Sequence, residues 1–303
     1  EMKGRKGSTD EGGVRSPMII NWPGKIPQGK VIKEIASGID LLPTLKSLTG
    51  IESQPKKPLD GISVQPLMME ENPLWKDRYI YNYWRGKLSI RNQNYRLDHQ
   101  GQLFDMVNDP NQTTNIGEKE PEVLADLSKA KEKWSQEVLV ELPANDNRPF
   151  YIGHPSLHTT QLPARDATAN GDIKRSNRFP NCTYFTNWIN LEDTISWVAE
   201  VSQDGDFEIT VYYSCAEDAI GSVFEVSFGN ASIQGEIREA HNPSEYGASE
   251  DRVVRQESYV KDFKSLKVGK LKLKKGKGTL QIKGIKKNGR ALMDFRLMLF
   301  KRV

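Results

Sequence analysis

The chain has 303 residues, of which 37% are hydrophobic and 27% charged. This is ordinary globular composition, long enough for two domains, and it excludes collagen-like repeats, wholesale disorder and a disulfide-dense scaffold. No run approaches the roughly 18–20 consecutive apolar residues that a membrane-spanning helix needs. The net charge of +3 hides an asymmetry: residues 261–303 hold 15 Lys and Arg against two acids, so the remainder of the chain is acidic.

The chain opens on Glu1-Met2-Lys3-Gly4-Arg5, with neither a leader pattern nor a domain-opening strand, and reads as a piece of a longer protein. Pro17–Trp22 (Pro-Met-Ile-Ile-Asn-Trp), closed by Pro23-Gly24, predicts a buried strand followed by a turn. Asp40 to Gly50 predicts a helix capped by Asp40 and ended by Gly50, with Leu41, Leu45 and Leu48 on one packed face. Residues 54–65 read as a loop. Strand-like pieces at 78–84, 88–91, 95–97 and 102–105 predict a small antiparallel sheet, and a second helix starts near Pro121 with Leu124, Leu127, Trp134 and Val138 in one stripe.

Residues 143–157 read as a linker, so the expected domains are 1–142 and 158–303. Beyond the linker the period shortens to two. Phe207, Ile209, Val211 and Tyr213 alternate with polar or aromatic residues, and Phe224, Val226 and Phe228 repeat the pattern. Leu271 and Leu273, then a Lys-rich turn, then Leu280 and Ile282 predict a hairpin, and residues 292–299 a last strand. Many short strands without a long helix predict a β-sandwich, with Trp197 in its core. Cys182 and Cys215 leave one disulfide or two free thiols open, with Cys215 a small buried residue.

The densest functional signal is Lys6-Gly7-Ser8-Thr9-Asp10-Glu11-Gly12-Gly13-Val14-Arg15-Ser16-Pro17. Glycines beside small hydroxyl residues let backbone approach a ligand, and Lys6 can offer a cation, yet no Gly-Lys-Ser/Thr triplet opens a helix as in a P-loop. The run resembles the Lys-Gly-Ser/Thr-Thr-Tyr-Glu-Gly-Gly-x-Arg-x-Pro segment of the arylsulfatase family, followed by an apolar run and Trp22-Pro23-Gly24. The resemblance continues at Ile39-Asp40-Leu41-Leu42-Pro43-Thr44 and at Gln102-Leu103-Phe104-Asp105 through Asp109-Pro110 to Asn115, covering about residues 2–138.

The resemblance implies the C-terminal part of an alkaline-phosphatase-like α/β domain with a small antiparallel sheet, followed by a jelly-roll-like all-β sandwich similar to carbohydrate-binding modules of some bacterial sulfatases. It implies hydrolysis of sulfate esters by a formylglycine nucleophile, made within Cys/Ser-x-Pro-x-Arg, and by Ca²⁺ held on Asp and Asn. Neither that motif nor a metal-ligating set is present in this chain, which is therefore expected to be inactive alone. Lys6 matches the family lysine that contacts sulfate; Glu11 and the glycines are expected to hold the loop. Asp10 replaces the family's usual aromatic residue.

His99, Trp84 and Arg85 are candidates for the sugar side of the site. In the sandwich, Tyr184 and Trp188 are candidate exposed stacking aromatics, and Lys270, Lys272 and Lys274 a candidate cationic face for a sulfated polymer. The basic segment 264–290 lacks interleaved aromatics, which argues against nucleic acid. The resemblance implies a sulfated carbohydrate substrate and a periplasmic or secreted location; the alternative function is a non-catalytic binder of sulfated or other anionic glycans. Oligomeric state is not legible.

Overall fold

The computed structural model describes residues 2–52, 54–71, 73–143 and 145–303, so Glu1 and Ala144 of the expected opening and linker lie outside the described residues. The chain divides into two compact units at Ala144/Asn145.

In the first unit, a one-turn helix α1 (Glu11–Val14) precedes α2 (Leu41–Thr49) and the short α3 (Gln65–Met69). Four strands follow: β1 (Ile80–Trp84), β2 (Lys87–Arg91), β3 (Tyr95–Leu97) and β4 (Leu103–Asp105), paired antiparallel in sequence order. The longest helix, α4 (Pro121–Val138), has Pro at its first position, where no amide hydrogen is needed. Its Leu127 is fully buried with Ile90, Leu97 and Leu103 of the sheet, and Trp134 stacks on Tyr81 at 4.9 Å.

Three expectations for this unit fail. Residues 17–22 form no strand; Met18, Ile19, Ile20 and Trp22 are exposed, Ile19 at 93%, because no neighbouring strand among the described residues covers them. Helix α2 ends as predicted, with Gly50 left-handed at φ 67°, but Leu41 and Leu45 are exposed, while Thr44 is buried and Leu48 packs near Val64, Leu67 and Met68. Asp40 sits at the N-cap of this helix, but its side chain makes no capping hydrogen bond to it. Its carboxylate accepts from the Ser37 and Ile62 amides and pairs with Arg78 at 2.7 Å, tying the start of the helix to the segment that leads into β1.

The second unit is a sandwich of two sheets. Its strands are β5 (Phe150–Ile152), β6 (Thr159–Pro163), β7 (Thr168–Asn170), β8 (Lys174–Arg175), β9 (Phe185–Thr186), β10 (Thr194–Val201), β11 (Gly205–Ser214), β12 (Val223–Phe228), β13 (Ala231–Glu236), β14 (Lys264–Leu273), β15 (Gly276–Lys286) and β16 (Asp294–Arg302). One sheet runs β13-β12-β15-β10-β5, with β7 also on β10; the other runs β14-β11-β16-β9-β8, with β6 also on β16. Only β5 on β10 is parallel among the pairs formed by the described residues. Strand β5 falls inside the expected linker, so the sandwich starts earlier than position 158.

The predicted alternation is realised: Phe207, Ile209, Val211, Phe224 and Val226 are fully buried. Trp197 is 2% exposed and meets Phe295 of the opposite sheet edge-on at 5.8 Å. Cys215 is buried, and both cysteines are free thiols. The expected hairpin at 271–282 does not form, because β14 and β15 lie in different sheets. Both leucine-bearing faces point into the shared core, one from each side, and alternation alone does not tell that arch from a hairpin.

Candidate functional site

The loop carrying Lys6 is locked to the small sheet through Glu11. That carboxylate accepts from Arg91 Nη1 at 2.8 and 2.9 Å and from Arg96 Nη2 at 2.8 Å, while the Glu11 amide donates to Gln112 Oε1 at 2.8 Å. The Thr9 carbonyl accepts from Ser89 Oγ and from Arg96 Nη1 at 2.7 and 2.8 Å. Burial pushes the Arg96 guanidinium below its usual range, and Glu11 opposes the shift. Two arginines on neighbouring strands thus hold one buried carboxylate, and the loop backbone with it.

The glycines serve close approach. A Cβ at Gly12 would lie 2.6 Å from the Gly4 carbonyl oxygen, and one at Gly13 would collide with the carbonyl oxygen of Ser8. Segment 3–5 crosses directly over the one-turn helix, with the Gly12 amide donating to the Lys3 carbonyl at 2.8 Å. Gly4, at φ 86°, has Ser8 Oγ only 2.5 Å from its Cβ position, so no side chain fits there.

Lys6 is exposed on the turn that follows. Next to it, the Cβ position of Gly7 is 3.8 Å from Trp84 Nε1. Trp84 ends β1, and Arg85 and Gly86, at φ 48° and 82°, form the two-residue turn into β2 with the backbone signs of a type I′ hairpin. Trp84 is 51% exposed rather than in the core, and the Arg85 guanidinium lies 5.5 Å from its ring centre. Tyr83 and Gly86 of this hairpin share with His99 and with Lys131 and Ser135 of α4 a cavity of about 380 Å³. The Lys6 turn thus meets the hairpin at Trp84, next to Arg85, while His99 lines the cavity with Tyr83 and Gly86.

Sequence reasoning missed the residues beneath them. Asp10 and Asp98 are buried, and Lys3 Nζ stands 4.0 Å from Asp10 Oδ1 and 3.3 Å from Asp98 Oδ2. Asp98 opens the β3–β4 loop, where its Oδ1 accepts from the Gln100 and Gln102 amides. The available signal was Arg96-Leu97-Asp98: a strand that points an arginine and a carboxylate inward needs buried partners.

The sandwich candidates fare differently. Trp188 is 1% exposed, a core residue, so its ring presents no face to a sugar. Tyr184 is half-buried; its hydroxyl donates to Glu245 at 3.0 Å, and its ring meets Phe263 edge-on at 5.2 Å with Lys261 Nζ 5.4 Å from its centre. Burial, aided by the Glu245 bond, pushes the Tyr184 phenol well up. Lys270 and Lys272 are on edge strand β14 but register opposite Glu208 and Asp206, and Lys274 pairs with Asp204 at 2.9 Å. The lysine row thus faces an acidic row, which tempers the cationic field expected from composition.

The first unit is similar to the C-terminal portion of sulfatases. Residues 6–137 match the family model described as N-sulphoglucosamine sulphohydrolase, C-terminal. The chain is 36% identical over 133 residues to arylsulfatase A of Bos taurus, covering 41% of this chain and 26% of the relative. It is 40% identical over 81 residues to N-acetylgalactosamine-6-sulfatase of Sus scrofa, covering 27% and 15% respectively. The chain therefore spans about a quarter of the length of arylsulfatase A. Over 47% of its length it is similar to 98% of the C-terminal family 6 carbohydrate-binding module of a laminarinase from Zobellia galactanivorans, at a TM-score of 0.33 and 13% identity, a likeness too slight to carry a conclusion.

The group implied by the resemblance does not fit the residues here. The sequence holds no Cys/Ser-x-Pro-x-Arg precursor for formylglycine. Among the described residues, the grouping of His, Cys, Asp and Glu side chains close enough to share an ion is Asp10, Asp98 and His99, not the Asp and Asn set expected for Ca²⁺. No helix of the described residues is long and apolar enough to cross a membrane.

Proposed function

We propose that the protein is a sulfatase that hydrolyses sulfate esters of a carbohydrate in a periplasmic or secreted setting, with this chain supplying the sulfate-contacting Lys6 and the sugar-facing hairpin. A fixed cation is needed because charge builds on the leaving oxygen and the transferring group as the ester bond breaks, and a pre-oriented ammonium stabilises that charge without reorganisation. Trp84 offers an exposed ring for a sugar face, and Arg85 and His99 offer donors for its sulfate or hydroxyl groups. Nucleophile and Ca²⁺ chemistry would be supplied by residues outside this chain. In the sandwich, Tyr184, Lys270, Lys272 and Lys274 are the residues left to contact glycan.

The observation that supports this reading is the Glu11–Arg91–Arg96 lock, which holds the Lys6 loop on the small sheet, with Gly7 beside Trp84 of the hairpin. In the full-length enzyme, Lys6→Ala is expected to lower turnover of a sulfate ester by about 100-fold or more, the scale of losing one pre-oriented stabilising group, with the melting temperature unchanged. Turnover equal to the parent's would remove Lys6 from the site.

A further inference from the structure

Beneath the proposed substrate side lies a cluster of which the sulfatase reading uses only His99. Asp10, Asp98 and His99 each offer one ligand atom within 4.8 Å of the others. They come from separate segments: Asp10 from the loop before α1, Asp98 and His99 from the β3–β4 loop.

Each carboxylate is held by one oxygen and leaves the other directed at the cluster. Ser8 Oγ donates to Asp10 Oδ2 at 2.5 Å, while the Gln100 and Gln102 amides donate to Asp98 Oδ1 at 2.8 and 2.9 Å. The remaining oxygens, Asp10 Oδ1 and Asp98 Oδ2, both face Lys3 Nζ. One oxygen of each is thus oriented by an outer partner, as in carboxylates prepared to ligate a metal, while Asp10 Oδ1 has no hydrogen bond and Asp98 Oδ2 accepts one only from Lys3.

Two atoms of the cluster lack any hydrogen-bond partner although they are buried: Asp10 Oδ1, on a residue more than nine-tenths hidden, and His99 Nδ1. A single ammonium, 4.0 Å from Asp10 Oδ1, leaves that buried anionic oxygen without a hydrogen bond, an arrangement that costs free energy. A divalent cation would satisfy both orphaned atoms at once.

We propose that Asp10, Asp98 and His99 form a binding site for a divalent transition-metal cation of the Zn²⁺ type, in which Lys3 competes for the same carboxylates. A nitrogen ligand with two oxygens selects this class over Ca²⁺ or Mg²⁺, which take oxygen shells. Tetrahedral bonds of about 2.0 Å place ligand atoms roughly 3.3 Å apart, so binding draws the three side chains together. His99 also lines the cavity beside Tyr83 and Gly86, so the bound ion would stiffen the cavity wall. The site does not depend on the proposed activity.

Calorimetric titration of the chelator-treated chain with ZnCl₂ tests it. One equivalent should bind; Asp10→Asn and His99→Ala should each weaken binding at least tenfold, and Lys3→Met, which removes the competing ammonium, should tighten it. No stoichiometric binding, unchanged affinity in His99→Ala, or weaker binding in Lys3→Met would overturn the proposal. Circular dichroism checks the fold of each variant, and if Asp10→Asn fails to fold, His99→Ala and Lys3→Met decide the matter.

Discussion

Glu11 shows how one side chain can hold a functional loop from below. Its carboxylate is 5% exposed, Arg96 is 1% exposed and Arg91 13%, so the three charges meet largely out of water. Removing one partner of such a group strands the others, and Glu11→Ala is expected to destabilise the first unit by about 3–5 kcal/mol, read as a lower denaturant midpoint. Gln112 has a matching role at the amide of the same residue, which gives a physical reason for the Gln112-to-Asn115 segment to accompany the Lys6 motif in the sequence. Glu11 was legible as a loop-holding acceptor. Arg91, Arg96 and Gln112 were not, because a partner about 80 to 100 residues away leaves no local pattern.

At the scale of elements, edge strand β14 explains why lysines crowd the end of the chain. Its unpaired backbone side would accept another strand, and outward lysines oppose such pairing. Replacing Lys270, Lys272 and Lys274 by Thr is expected to promote self-association, measured by light scattering; a variant that stays dispersed would remove this role. The strand also carries Gly269, opposite the register shift at Ile209/Thr210, where a Cβ would lie 2.8 Å from Ile233 Cδ1 of β13. A second element, the turn after β4, responds to pH. Hydrogen bonds from the Asn108 amide and side chain hold Asp105 below its usual range. A depressed folded-state value stabilises above the unfolded value of 3.8 and is lost as pH falls through the folded one. Amide-exchange protection factors at Val107 and Asn108 should therefore fall only below about pH 4.

For the molecule as a whole, the two units differ in how they bury apolar surface. The sandwich encloses one continuous core from both sheets, whereas the first unit holds smaller clusters around Ile90 and around Leu67. Ile19, Val31, Leu41, Leu42 and Leu45 are left exposed in the first unit. Under the proposed function, these are surfaces that the remaining sulfatase domain would cover, and they account for both failed burial expectations. Limited proteolysis with a broad-specificity protease should cut first at exposed positions of 142–149 and release a resistant sandwich that includes Phe150. Survival of the first unit with loss of the sandwich would contradict that order.

The local alphabet of this chain was enough to place the small antiparallel sheet, the helix from Pro121, the alternating strands and the glycine loop that carries Lys6. Each of those depends on period, on a cap or on a turn, and such signals lie within a few residues of one another. Other features required the packed chain: the separation of β14 and β15 into two sheets, the burial of Trp188, the exposure of Trp84, and the meeting of Asp10 with Asp98 and His99. These depend on which surfaces and charges end up facing each other across long stretches of sequence, and a buried charge reveals its purpose only through the partners that folding brings to it.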